Sequence, residues 1–130
     1  WVADRDNAVL HAFDTQSFER VASIDVGNFP IRVAVTPDGA TVITSNLIDG
    51  ALSLVDAESR RLVRTIPVSG SADARQVTIV LSDDGRPLYA AETGRQRIAA
   101  VDLETGEVLR RYEAGEGSDG LTIVPAADEN

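Results

Sequence analysis

The chain has 130 residues, of which 43% are hydrophobic and 25% charged, and 21 acidic against 12 basic residues give it a net charge of −9. This composition argues for a folded core and against disorder. No apolar run approaches the roughly 18 residues of a membrane-spanning helix, so we predict no membrane insertion. The negative charge argues against nucleic-acid binding. The absence of cysteine excludes disulfides and cysteine-based chemistry.

Short apolar segments alternate with turn-forming residues along the chain. An apolar run over residues 9–13 comes first and is closed by Asp14. Residues 31–36 are β-branched and apolar, and the turn Pro37, Asp38 and Gly39 follows, with proline pre-setting φ and glycine accepting positive φ. No window repeats apolar residues at helical spacing. We therefore predict further strands over residues 41–44, 51–55, 62–68 and 121–124.

The same pattern repeats three times. Aligned on Asp14, Asp56 and Asp102, the repeats match without a gap from 13 residues before the anchor to 13 after it, and the anchors lie 42 and 46 residues apart. A repeat of this length without helical periodicity is typical of β-propeller blades. We predict an all-β chain, a β-propeller of four-stranded antiparallel blades in a single segment, with repeats at approximately 1–40, 41–86 and 87–130.

The two ends of the chain pose a structural question. The first repeat opens at a second strand and the last repeat ends at a first strand, while propellers use about four to eight blades. Unpaired strand edges favour association. Two interpretations follow for these roughly three blades: they belong to a larger propeller, or to a propeller assembled from more than one chain. The missing partner is then the remaining blades of a longer chain or a second copy.

Three four-residue segments resemble a known repeat signature. Residues 1–4, 43–46 and 89–92 read WVAD, ITSN and YAAE, which are similar to degenerate forms of the Tyr-Val-Thr-Asn motif of the YVTN-type β-propeller repeat family. Departures occur at Ile43, which lacks the aromatic ring, and at residues 125–127, which replace the Pro-Asp-Gly turn. The resemblance implies a non-catalytic binding scaffold in a periplasmic or extracellular setting. The start at Trp1 and the lack of methionine suggest a mature or excised piece.

Candidate ligand-binding residues lie in the loops that propellers bring together on one face. These residues are polar and differ from repeat to repeat, unlike the scaffold positions; they are Arg32, Asn46, Arg75, Glu92, Arg95 and Asp119. Arginine can clamp a carboxylate with two parallel hydrogen bonds. We therefore predict a protein, peptide or acidic carbohydrate ligand. The alternative is an ordinary solvated loop surface.

Other polar residues are assigned structural roles. The three anchor aspartates follow strands and start turns, where a carboxylate accepts backbone N–H bonds. His11 is interpreted as an exposed strand residue without a catalytic partner, and residues 4–7 lack the glycine and glutamate of a calcium loop. We predict no catalytic residue, no metal and no cofactor.

Two enzymatic alternatives to the scaffold remain. One is a lactonase-like hydrolase propeller, and the other is a subunit of a quinoprotein or electron-transfer system. We also expect the predicted third strands to supply alternating buried positions from the set Val9, Leu10, Phe13, Leu52, Leu54, Val55, Ile98 and Val101.

Overall fold

The computed structural model describes residues 1–127, which form short strands and two single-turn 3₁₀ helices, η1 (Ala72–Ala74) and η2 (Thr93–Arg95). None of the helices in this range is long and apolar enough to cross a membrane. The strands are β1 (Val2–Asp4), β2 (Val9–Phe13), β3 (Arg20–Asp25), β4 (Pro30–Val35), β5 (Thr41–Asn46), β6 (Ala51–Asp56), β7 (Arg61–Pro67), β8 (Gln76–Leu81), β9 (Pro87–Glu92), β10 (Arg97–Asp102) and β11 (Val108–Glu113).

The strands form three antiparallel sheets in which chain neighbours are sheet neighbours. The first sheet is β1-β2-β3, the middle sheet is β4-β5-β6-β7, and the third sheet is β8-β9-β10-β11. The prediction of an all-β antiparallel chain is confirmed. In the repeat frame β1, β5 and β9 are equivalent, so the first sheet lacks the strand that β4 and β8 supply to the other two.

The anchor aspartates shape the turns after β2, β6 and β10. Asp14 Oδ1 accepts the backbone N–H groups of Gln16 and Ser17 at 2.8 and 2.9 Å, and Asp56 Oδ1 accepts that of Ser59 at 2.7 Å. These bonds favour the charged carboxylate, so the Ser17 N–H lowers the pKa of Asp14 and the Ser59 N–H lowers the pKa of Asp56. The structural role predicted for the anchors is confirmed.

The middle sheet is covered on both faces. One apolar cluster joins it to the first sheet and contains Leu10, Ile24, Val42 and Val55. A larger cluster joins it to the third sheet and contains Ile43, Leu52, Leu54, Ile66, Val68, Leu88, Ala90, Ala99 and Val101. Consequently every residue of β6 from Ala51 to Val55 is buried, and the predicted alternation is wrong for that strand.

One other strand prediction needs correction. Residues 121–124 form no strand, because within the described residues no neighbouring strand accepts their backbone hydrogen bonds. Phe13 is 40% exposed and Val9 and Ile98 are half-buried, since they lie on sheet faces that no other described sheet covers. The remaining predicted core positions, Leu10, Leu52, Leu54, Val55 and Val101, are buried as expected. Residues 128–130 of the third repeat lie outside the described range.

Candidate functional site

The loops at one end of the three sheets interlock into a continuous surface, here called the rim. It comprises the turns at residues 5–8, 47–50 and 93–96 and the connections at residues 26–29, 68–75 and 114–119. On its first half, the Arg5 guanidinium lies 5.3 Å from the centre of the Phe29 ring. Asp49 then accepts the Asn28 backbone N–H at 2.7 Å and the Asn28 side-chain amide at 2.9 Å.

The second half of the rim joins the middle sheet to the third. Thr93 donates its backbone N–H to the Arg75 carbonyl at 3.2 Å, and its hydroxyl donates to the Ser118 carbonyl at 2.7 Å. Arg95 Nη2 lies 3.2 and 3.3 Å from the two carboxylate oxygens of Asp73. The loops that the sequence placed together are therefore in contact through hydrogen bonds and ion pairs.

Two predicted ligand-binding residues lie beneath the rim instead of on it. Asn46 ends β5 and is completely buried. Its Nδ2 donates to Ser53 Oγ at 2.9 Å, and its Oδ1 accepts the Thr44 hydroxyl at 2.8 Å. Asn46 therefore lies at the buried end of a strand, and its placement in an exposed loop is wrong.

Glu92 occupies the equivalent position at the end of β9 and is also completely buried. Its Oε2 accepts hydrogen bonds from Arg97 Nε and, at 3.1 Å, from Arg111 Nε. Arg111 Nη2 also donates to the Val68 carbonyl at 2.8 Å, which ties the third sheet to the middle one. Glu92 is thus the centre of an internal ion cluster, and its assignment to an accessible loop is wrong as well.

Gln76 completes this cluster and was missed by sequence reasoning. It pairs with Glu92 across β8 and β9, is fully buried, and donates from Nε2 to Ser45 Oγ and the Ala51 carbonyl, both at 3.0 Å. Within the described residues, Gln76 Oε1 and Glu92 Oε1 have no hydrogen-bond partner. The available signal was a polar residue at the start of an apolar strand. The repeat alignment did not support this signal, because the equivalent residue of the middle sheet is Pro30.

The four remaining candidates lie at or near the surface in different surroundings. Arg75 is exposed in a left-handed conformation with φ 47° at the end of η1. The side chain of Arg95 is 35% exposed and that of its partner Asp73 70%. Asp119 accepts the Thr78 hydroxyl at 2.6 Å, whereas Arg32 is exposed on β4 and donates to the neighbouring Ile31 carbonyl. The structure brings Arg75 and Arg95 to one junction of the rim.

A groove of about 370 Å³ opens beside this junction. It is lined by Arg95, Gln96, Arg97, Glu113 and Gly115. Arg97 is 29% exposed and is oriented from below by the buried Glu92 carboxylate. Two arginines on one groove wall can bind an anionic group, and Glu113 restricts where that group can lie.

His11 is half-buried, so its assignment as an exposed residue is wrong, and it has two polar neighbours. Its Nδ1 lies 2.9 Å from Ser23 Oγ, and its Nε2 lies 3.5 Å from Asp4 Oδ2. The pKa of Asp4 is lowered, first by the hydrogen bond from the Asn7 side chain and to a lesser degree by His11. The histidine–aspartate distance is longer than the roughly 2.6–3.2 Å of a catalytic hydrogen bond.

Within residues 1–127, no group of three or more histidine or carboxylate side chains is arranged to hold a metal ion. No family model matches the sequence, and no curated protein matches it.

The fold does have a solved counterpart. The chain consists of sequential antiparallel sheets stacked face to face, and it is similar to a structure of Kuenenia stuttgartiensis hydrazine synthase. The two share 26% sequence identity with a TM-score of 0.78, over 87% of this chain and 32% of that chain. The chain therefore spans about a third of the length of the protein it matches.

Proposed function

We propose that the chain is a segment of a β-propeller that acts as a non-catalytic binding scaffold. The sheets support this by their arrangement: each is built from consecutive strands, and β4 lies against β8 as β1 lies against β4. Strands of neighbouring sheets that meet along one line are what a radial stack of blades requires. A periplasmic or extracellular location is part of the same proposal.

The observation that carries the binding role is the junction of η1 and η2, where Arg95 lines the groove and the Arg75 carbonyl accepts the Thr93 N–H. Its ligand class follows from charge and geometry. The Arg95–Asp73 pair is exposed, and such pairs contribute only about 0–1 kcal/mol, so an incoming carboxylate displaces Asp73 at little cost. An acidic peptide or a sugar acid fits this exchange, because arginine binds planar carboxylates with paired hydrogen bonds.

The test is a binding titration with two probes, a fluorescent oligoglutamate peptide and an oligogalacturonate. Replacing Arg75 and Arg95 together by alanine is expected to weaken binding about tenfold or more, since hydrogen bonds to charged groups contribute about 1.5–3 kcal/mol each. Thermal stability should change little. Arg61→Ala serves as the control, because Arg61 is exposed on β7 away from the rim. Equal binding by the double variant and the wild type contradicts the assignment.

The likeness to hydrazine synthase favours a second candidate, in which the segment is a structural part of an enzyme. The lactonase-like alternative gains no comparable support from the described residues. If the purified protein hydrolyses a lactone or ester and loses that activity when rim residues are substituted, the proposed function changes from binding scaffold to hydrolase. A redox-active absorbance band that copurifies with the protein would favour the electron-transfer role.

A further inference from the structure

The three sheets stack in one direction, and the same repeat positions form each contact. Leu10 and Ile24 of the first sheet pack in the cluster that faces the middle sheet. The equivalent residues of the middle sheet, Leu52 and Ile66, pack in the cluster that faces the third. The same face of the first and middle sheets therefore packs against the following sheet in the chain.

Within residues 1–127, no sheet lies against the same face of the third sheet. Ile98 and Tyr112 occupy the positions equivalent to Leu52 and Ile66, which are 0% and 1% exposed, but Ile98 is only half-buried and Tyr112 is 43% exposed. Together with Val80 and Tyr89 they line a groove of about 200 Å³. We call these four residues the donor face. Residues 121–123 reach over part of it.

The first sheet presents the matching receptor. Val55 of the middle sheet and Val101 of the third sheet each pack against the sheet that precedes them in the chain, and both are 0% exposed. The equivalent residue of the first sheet, Phe13, is 40% exposed. Thr44 and Ala90 are likewise fully buried, and the equivalent Val2 is 52% exposed. We call Val2, His11 and Phe13 the acceptor face, since cross-strand pairing places Val2 beside His11.

We propose that the donor face of one copy packs on the acceptor face of a second copy, head to tail. This inference rests on the propeller arrangement proposed above. The occupant is a second copy because the two faces carry the halves of a contact that the chain already makes twice. A contact of this kind closes into a ring when the rotation allows, and two copies supply six sheets, within the range of about four to eight that propellers use.

The polar group in the acceptor face is compatible with burial. His11 is equivalent to Ser53 and Ala99, which are both completely buried. Its ring nitrogens already face Ser23 and Asp4 within the first sheet. Covering His11 therefore leaves no imidazole nitrogen without a polar neighbour.

The backbone supports the same docking. Within the described residues β1 pairs only with β2, whereas β5 and β9 are each paired on both edges. Residues 121–124 align with the β4 segment of the repeat, and residues 121–123 lie beside the donor face. Within residues 1–127 they pair with no strand. Adding these residues to the open edge of β1 in the second copy completes a four-stranded sheet at the contact.

The experiment measures the mass of the 130-residue chain by sedimentation velocity, with circular dichroism to verify that each variant is folded. We expect the wild type to sediment at twice its 13.8 kDa. Ile98→Asp on the donor face and Phe13→Asp on the acceptor face should each shift the chain to a monomer. Val63→Asp, at a 61% exposed position on β7 outside both faces, should leave the dimer intact.

Mixing the two defective variants identifies the geometry. The Phe13→Asp variant keeps an unchanged donor face, and the Ile98→Asp variant keeps an unchanged acceptor face. The mixture should therefore form a heterodimer through the contact between these two unchanged faces. A wild-type chain that stays monomeric up to its solubility limit overturns the proposal, as does a dimer that survives Phe13→Asp. Carboxylate titration of the same samples is read separately, so a failure of assembly is distinguishable from a failure of rim binding.

Discussion

The middle sheet and the two outer sheets share one repeat but differ in burial. At the position just before the anchor aspartate, Val55 in the middle sheet is 0% exposed and Phe13 in the first sheet is 40% exposed. The residue types do not explain the difference, because phenylalanine is the more apolar and larger of the two. Burial at a repeat position is therefore set by the sheets stacked on either side.

The largest effect expected from this comparison is loss of packing in the middle sheet. Leu52→Ala removes a completely buried side chain from the cluster shared with the third sheet and should reduce the free energy of unfolding by about 2–5 kcal/mol. Leu62→Ala, in the same sheet but 43% exposed, should cost well under half of that. Urea unfolding of both variants checks the difference, and equal losses would show that the sheets do not form one packed core.

A smaller contrast is expected between equivalent acidic residues in the third and first sheets. Glu92→Ala leaves Arg97 and Arg111 without their shared carboxylate, and because both arginines are about a third exposed, we expect a loss of about 2–3 kcal/mol. Asp4→Ala removes a carboxylate whose side chain is 30% exposed and should cost less than Glu92→Ala. Thermal unfolding measures both. A larger loss for Asp4 than for Glu92 would contradict a stabilising role for the buried ion cluster.

The smallest effect concerns one turn position with positive φ in every repeat. Phe18, Arg60 and Gly106 are equivalent and have φ values of 59°, 57° and 77°. Since Phe18 is 78% exposed, Phe18→Gly removes backbone strain with little loss of packing and should stabilise the chain by about 0.5–1 kcal/mol. Gly106→Ala should act in the opposite direction. Chemical denaturation of the two variants tests the sign, and destabilisation by Phe18→Gly would contradict the strain.

Local rules predicted the strands and turns well. The anchor aspartates, the strand starts at Thr41 and Ala51 and the turn at Gly39 follow from alternation and turn chemistry, which act over a few residues. Residues 121–124 show the limit of such rules. They carry the composition of a strand, but a strand also needs a neighbour to accept its hydrogen bonds, and that neighbour is not encoded in the segment itself.

The candidate site was harder to predict because exposure depends on stacking. Asn46 and Glu92 are polar residues next to turn formers, which usually indicates a solvated loop. In the fold each ends a strand that lies between sheets, where its polar atoms bind neighbouring chain segments. Arg75 and Arg95 both fall in connections that strand order brings to one end of the sheets, and their role in binding stays a prediction.

The connection between the middle and third sheets runs over residues 68–75, whereas that between the first and middle sheets runs over residues 26–29. This difference matches the unequal anchor spacings of 42 and 46 residues, and the added residues fold into η1 and supply Asp73. An insertion at this point leaves the strands, turns and stacking contacts of the repeat unchanged. The repeat therefore accepts added residues at this connection without a change in its sheets, and the completely buried Ala74 anchors the added segment to the rim.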